Sequence, residues 1–499
     1  MADWLIELDK NSGQMFHNYA SFCVGTGRMG LALQKEYQDE LRAVQTLCGF
    51  EYIRGHGLFS DDMAIYQERR DPDGAARVQY CFTYLDRVMD SYLEMGLRPF
   101  LELGFMPGAL ASGTQTIFYW KGHTTPPKDM TKWTDLVEAT LTHLKERYGE
   151  DEVSRWPAEV WNEPNLPGFW ENADKEKYLG LYDATARAVK RAIPAMRVGG
   201  PAICGGTGSQ EWVRDFLTFC REHSSPVDFV TRHAYMGQTP EHRGRYLYHP
   251  MCDVEYTVAE MAETREIIDS FPEYKDLPMY ITEFNTSYNP FCPIHDTVLN
   301  AAITAGLLAR LGDVARGYSY WTFGDVFEEM GVPTRPFHGG FGLMAAGNIP
   351  KPTLWTFAFF SRLKGRCVHR DAHSVVTVRE DGTWEGVVWN EGRENKLFRC
   401  TVALPGDAVM ALTEERVEDG GSDPLKIWHD LGEPAVISKE TEALLRQSGA
   451  PRVSSRRCGG ACGPYALEIR GSGVCFFRAR PLKEEADPGY DYSYYDSRD

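Results

Sequence analysis

The sequence has no run of about 18 apolar residues, the length a membrane-spanning helix requires. Its best stretch, AAITAGLLARLG, is too short and contains Arg310, so no membrane association is expected. A basic surplus is also missing: 53 Lys and Arg stand against 71 Asp and Glu, a net charge of −18. Nucleic-acid binding needs a concentrated cationic surface and is disfavoured, whereas a neutral small molecule fits. Paired cysteine motifs are absent too. Twelve cysteines lie singly between Cys23 and Cys475, which excludes a disulfide framework and points to a reducing compartment. The one close pair, Cys458 and Cys462 in CGGAC, has no second pair or histidine nearby and reads as a Gly-rich turn rather than a zinc site. His56, His233 and His338 lack HExxH or any comparable spacing, so neither a metal nor a cofactor is expected. GGPAICGGTGS lacks the lysine of a phosphate loop and reads as a plain loop. The N-terminal MADWLIELDK places Asp3, Glu7 and Asp9 where a secretory signal needs uninterrupted apolar residues, so a cytoplasmic protein is expected.

What is present is a globular composition, with 43% apolar residues over 499 positions, enough for a large core. The first two-thirds alternates β-branched and aromatic runs with longer amphipathic stretches, the pattern of βα units. Eight strand candidates stand out: SFCVG, FEYIRGH, RPFLELGF, AEVWNEP, MRVGGPAI, VDFVTRHAY, PMYITEFN and YSYWTFGD. Segments between them, such as KEYQDELRAVQTLCG and EWVRDFLTFCREH, repeat apolar residues at three and four, as helices burying one face do. The pattern predicts an α/β fold, a (β/α)8 TIM barrel over residues 13–364 closed by the helix KPTLWTFAFFSRL. After Gly365, alternating segments such as SVVTVRED, TWEGVVWNE and GVCFFRARP predict an accessory antiparallel β-sandwich over residues 365–499. A helical insertion, KETEALLRQSG, and an acidic, tyrosine-rich tail, either disordered or docked on another subunit, complete it.

TIM barrels carry their chemistry at the C-terminal ends of the strands. Glu163 in VWNEPN ends candidate strand four, beside Trp161, Asn162 and Asn165; Glu283 in YITEFN ends strand seven, beside Phe284 and Asn285. Two partly desolvated carboxyls converging across a barrel mouth suit glycoside hydrolysis, in which one protonates the leaving oxygen and the other attacks the anomeric carbon. The competing reading is that each caps a helix or pairs with an arginine. His56 in RGHG, with His233 and Tyr235 in TRHAY, ends two further strands and can serve sugar hydroxyls or a glutamate. Trp321 in SYWTFGD offers an apolar floor for a sugar, and Glu328 and Glu329 follow as hydroxyl acceptors or solvated acids.

Together VWNEPNLPGFW, VGGPAICGG, DFVTRHAY, YITEFNTSYNP, SYWTFGDVFEE, FHGGFGL and IPKPT resemble glycoside hydrolase family 39, and within it the bacterial β-xylosidases. The resemblance covers most of the chain and is strongest over residues 150–365. It implies a retaining, exo-acting hydrolase that removes xylose from xylo-oligosaccharides by double displacement. Glu163 matches the acid/base, Glu283 the nucleophile and Asn162 the residue that binds the sugar 2-hydroxyl. His56, His233, Tyr235, Trp321, Glu328 and Glu329 match substrate-pocket positions. The resemblance also implies that residues 1–12 join the sandwich and that a homo-oligomer through the accessory parts is an option. The alternatives are another glycosidase of the family, an α-L-iduronidase, arabinosidase or β-glucosidase, or a carbohydrate-binding barrel without catalysis.

Overall fold

The computed structural model describes residues 3–392, 397–485, 487, 489–491 and 493–495, so part of the expected acidic tail lies outside the described residues. Eight parallel strands close into a barrel in chain order: β1 (Cys23–Arg28), β2 (Tyr52–His56), β3 (Arg98–Leu103), β4 (Ala158–Val160), β5 (Val198–Ile203), β6 (Phe229–Tyr235), β7 (Met279–Asn285) and β8 (Tyr318–Tyr320). β8 returns to β1 through the pairs Ser319–Cys23 and Tyr320–Val24. The eight strand segments read from the sequence each supply one of them. Among the described residues eight helices of more than ten residues cover the outside: α1 (Lys35–Cys48), α2 (Thr83–Glu94), α3 (Met130–Tyr148), α4 (Lys175–Ala192), α5 (Ser209–His223), α6 (Val254–Asp269), α7 (Val298–Arg310) and α8 (Pro352–Arg362). Most are amphipathic; α2, for instance, buries Leu85, Val88, Met89 and Tyr92 against the strands. α7 is the apolar run considered above for a membrane. It buries nearly its whole surface because it is packed between the barrel and an accessory sheet. Among the described residues no helix is long and apolar enough to cross a membrane.

The barrel interior is layered. At its N-terminal end Cys23, Tyr52, Phe100, Phe229 and Tyr280 form an aromatic plug, with ring centroids 5.4 to 6.0 Å apart among Phe100, Phe229 and Tyr280. One step up, where side chains alternate inward along each strand, the apolar filling gives way to Arg54, Glu102 and Glu159, all fully buried.

Beyond the barrel lie two packed sheets. A six-stranded antiparallel sheet runs in the order β9 (Arg366–Arg370), β10 (Ser374–Val378), β11 (Trp384–Asn390), β16 (Gly473–Pro481), β13 (Met410–Glu418), β14 (Arg452–Cys458). The smaller sheet joins the N-terminal strand Asp3–Glu7 to β12 (Leu397–Ala403) and β15 (Tyr465–Arg470). The pairing is antiparallel throughout except between Asp3–Glu7 and β12, which run parallel. Ile6, Val376, Val388, Phe398, Leu412, Leu467 and Phe477 fill the space between the sheets. Between β13 and β14 the chain inserts two helices, α9 (Pro424–Asp430) and α10 (Lys439–Ser448). α10 is the insertion expected from KETEALLRQSG, capped by Ser438, whose Oγ accepts from the Thr441 amide at 3.1 Å. α9, at seven residues, is too short to show a period in the sequence.

Candidate active site

Strand irregularities aim the two glutamates. On β7, Ile281 pairs with Arg232 but Glu283 pairs with His233, so Thr282 is an extra residue opposite β6. This bulge turns both Thr282 and Glu283 inward, where strict alternation would place only one of them. Phe284 then faces outward onto Tyr318, Tyr320 and Phe357. At the end of β4 the chain takes left-handed conformations at Trp161 (φ 71°) and Glu163 (φ 45°). Such positions cost about 1–3 kcal/mol each and persist where surroundings over-determine them. Here the Glu163 amide donates to the Ala202 carbonyl at 2.9 Å, and the Trp161 indole donates to the Phe169 carbonyl at 2.8 Å.

Beneath the glutamates sits Arg54, wholly buried and fully engaged. Its Nε reaches Glu159 at 2.6 Å, Nη1 reaches Glu283 Oε1 at 2.7 Å, and Nη2 reaches Asn162 Oδ1 at 2.9 Å and Glu102 at 3.0 Å. Thr282 Oγ1 donates to the other oxygen of Glu159 at 2.9 Å. Glu283 Oε2 accepts from the Tyr235 hydroxyl at 2.6 Å. Burial, reinforced by the charge of Glu283, holds that phenol well above its ordinary pKa, so it remains a donor.

Glu163 meets His233 instead, with Oε1 2.8 Å from Nδ1, while the same nitrogen is 3.5 Å from Glu283 Oε2. The carboxyl of Glu163 is pushed well above the ordinary carboxylate range, first by burial and then by the charge of Glu283, with Arg54 opposing. His233 is driven well below its usual range by burial and then by Arg54, so its ring is neutral and can serve Glu163 through an Nδ1–H. One oxygen of Glu163, one of Glu283 and this nitrogen all lie within 4.8 Å of one another.

His56 is fixed by Glu102, which takes its Nδ1 at 2.7 Å; its Nε2 lies 3.7 Å from both Glu283 and Glu329. Its ring packs on Trp321, with centroids 4.6 Å apart. Burial raises the carboxyl of Glu329 well above its ordinary range, with Glu283 and Glu163 adding to the effect. His56, Asn162, Glu163, Tyr235, Glu283, Trp321 and Glu329 share one cavity of about 680 Å³. His233 lies just below it. Glu328 is separated from this set: its carboxylate pairs with Arg28 at 2.7 Å, and it does not line the cavity. The adjacent glutamates of FEE thus part, one into the cavity and one to a partly buried ion pair.

Arg54, Glu102 and Glu159 are not among the site residues expected from the sequence, although each is a charged residue on the inward phase of its strand. Arg54 stands two residues before His56, and that spacing places both on one face.

A closed (β/α)8 barrel with two buried carboxyls converging from β4 and β7 over a cation is the framework of a glycoside hydrolase. The model of glycosyl hydrolases family 39 matches residues 4–464, and the chain belongs to this family. It is 46% identical over 472 residues to a β-xylosidase of Geobacillus stearothermophilus, covering 93% of each chain. It is 35% identical to a β-xylosidase of Caldicellulosiruptor saccharolyticus, over 85% of this chain and 87% of that one. A monomeric β-xylosidase from Caulobacter crescentus superposes with a TM-score of 0.87 at 31% identity, covering 96% of this chain and 100% of the other.

Proposed function

We propose that this glycosidase is a retaining, exo-acting β-xylosidase that releases xylose from the non-reducing ends of xylo-oligosaccharides, serving xylan breakdown. Glu163 acts as acid/base and Glu283 as nucleophile. The observation that carries the reading is the approach of their oxygens to within 4.8 Å. An inverting enzyme keeps its carboxyls about 6.5–9.5 Å apart to admit a water, whereas retaining enzymes hold them about 5–5.5 Å apart.

The geometry supports each step. Arg54 and Tyr235 hold the two oxygens of Glu283 in place beneath the anomeric carbon. Glu163, kept protonated by burial and by the charge of Glu283, gives its proton to the departing glycosidic oxygen. Once Glu283 is esterified by the sugar its charge is gone, Glu163 ionises more easily, and it can take a proton from the incoming water. Asn162, held by Arg54, faces the sugar 2-hydroxyl; His56, Trp321 and Glu329 form the opposite wall, with His233 orienting Glu163. Glu328 acts through its pair with Arg28, beside the wall that carries Glu329.

An iduronidase reading is disfavoured because a uronate needs a cation, and among the described residues no Lys or Arg lines the cavity. A purely binding role is disfavoured by the presence of both carboxyls. We assign residues 13–364 to the catalytic barrel and 1–12 with 365–499 to the accessory module. The twelve unpaired cysteines support a cytoplasmic location.

A panel of nitrophenyl glycosides tests the reading, combined with proton NMR of the first sugar released. β-Xyloside should be the best substrate and β-xylose the first anomer seen. Initial release of α-xylose, or preference for an iduronide, would overturn it.

A further inference from the structure

The segment after β8, residues 321–351, carries Trp321, Glu329 and Phe341 into the cavity yet contains little regular structure. It is held from inside by one buried lysine. Lys351 of IPKPT, fully buried, places Nζ 2.6 Å from Asp296, 2.6 Å from Asp325 and 2.8 Å from the Gly340 carbonyl. Asp325 accepts from the Gly342 amide and Asp296 from the Gly339 amide, each at 2.7 Å. The FHGGFGL stretch is pressed so tightly that a Cβ on Gly340 would sit 2.3 Å from Asp325 Oδ1, and one on Gly339 2.6 Å from the Cys292 backbone.

The other side of the same segment is covered by the helical insertion of the accessory sheet. Phe337, Ala345 and Ile349 pack on Trp428 of α9 and Leu445 of α10, with the Phe337 and Trp428 rings 5.6 Å apart. Polar ties run alongside: Arg335 Nη1 donates to the Glu433 carbonyl at 3.1 Å, Arg446 Nη2 to the Gly347 carbonyl at 2.8 Å, and Trp355 Nε1 to the Gly449 carbonyl at 2.7 Å. We infer that the insertion α9–α10 is a positioning element of the catalytic site, clamping the segment after β8 against Lys351 so that Trp321, Glu329 and Phe341 meet the sugar at fixed places.

The inference rests on the reading of that wall as the sugar-binding side. On that reading Trp321, Glu329 and Phe341 meet the glycone, whereas the reacting carboxyls are held by Arg54, Tyr235 and His233. Loosening the clamp therefore removes binding that ground state and transition state share, which raises KM more than it lowers kcat. Trp428 and Arg446 are positioning residues, acting through Phe337 and Gly347.

The test compares Trp428→Ala, Arg446→Ala and the conservative Trp428→Phe with a control on the exposed face of α10, Leu444→Ala. Hydrogen exchange over residues 326–343 decides the inference without any sugar. It should quicken in Trp428→Ala and Arg446→Ala, with exchange in β4 and β7 unchanged, and return towards wild type in Trp428→Phe. With an aryl xyloside, KM and the inhibition constant of xylose should both rise about five- to tenfold while kcat stays within about twofold. Unchanged exchange in the segment, or a lowered Tm with unaltered KM and xylose inhibition, overturns the inference by reducing the insertion to a stabilising appendage. Should Trp428→Ala not fold, Arg446→Ala, which removes only polar ties, decides in the same way. Wild-type enzyme that fails to hydrolyse the xyloside counts against the proposed function alone, and the exchange result still settles the clamp.

Discussion

Replacing Glu283 with glutamine should lower the pKa of Glu163 and still leave it above the ordinary carboxylate range. The two side chains bring oxygens within 4.8 Å of each other. At an effective dielectric constant of about 20, unit charges that far apart repel by about 3.5 kcal/mol. Water entering the cavity screens part of it, so a clear fall is expected. Losing the charge at 283 also leaves Arg54 with one counter-charge fewer, which favours ionised Glu163 in the same direction. Burial, the larger cause of the raised value, is untouched by the substitution. The assay is carbon-13 NMR of protein labelled at the glutamate side-chain carboxyl, with the Glu163 resonance assigned by its loss in Glu163→Gln. A fluorinated xyloside that arrests the covalent intermediate should produce a similar fall, since it too neutralises position 283. A change smaller than about half a unit, or a rise, would refute the charge coupling on which the acid/base cycle depends.

Glu163→Ala should retain turnover of a dinitrophenyl xyloside, whose leaving group needs no proton, and gain rate with added azide, whereas Glu283→Ala should be inactive on every substrate; steady-state rates check both. The basic limb of kcat/KM should report the loss of the Glu163 proton, so activity falls as pH rises through the raised pKa; in Glu163→Gln, assayed with an activated xyloside, that limb should vanish, and its persistence would move the acid elsewhere. Lys351→Met should cost about 3–5 kcal/mol in denaturant unfolding because two buried carboxyls lose their cation, and a loss below about 1 kcal/mol would show that the trio is not a structural node.

The barrel was legible because its strands are short β-branched or aromatic runs, most of them followed by an amphipathic helix, and because Glu163 and Glu283 stand towards the C-terminal ends of two such runs. α7 escaped for the opposite reason: a helix buried on all sides has no polar stripe for a period to reveal. The parting of Glu328 from Glu329 was illegible, because it depends on Arg28 standing across the mouth, some 300 residues earlier in the chain. The ionic layer under the site was written in the strands as Arg54, Glu102 and Glu159. Alternation alone gives their phase, but only closure of the barrel brings three strands onto one guanidinium. The bulge at Thr282 depends on register between neighbouring strands, which no single segment encodes.

The N-terminal strand bears on how the molecule is made. Asp3–Glu7 lies against Arg399–Ala403, with Ile6 completely covered in the finished protein. At roughly 5–20 residues per second of synthesis, this strand leaves the ribosome on the order of tens of seconds before its partner exists. Every strand of the barrel is made within that interval, so the (β/α)8 unit can close while its leading segment waits with an apolar edge uncovered. The smaller accessory sheet is then completed by docking a strand made before the barrel beside one made after it. Chaperone demand and aggregation during production should therefore respond to changes in DWLIE far more than its five residues of contact area suggest.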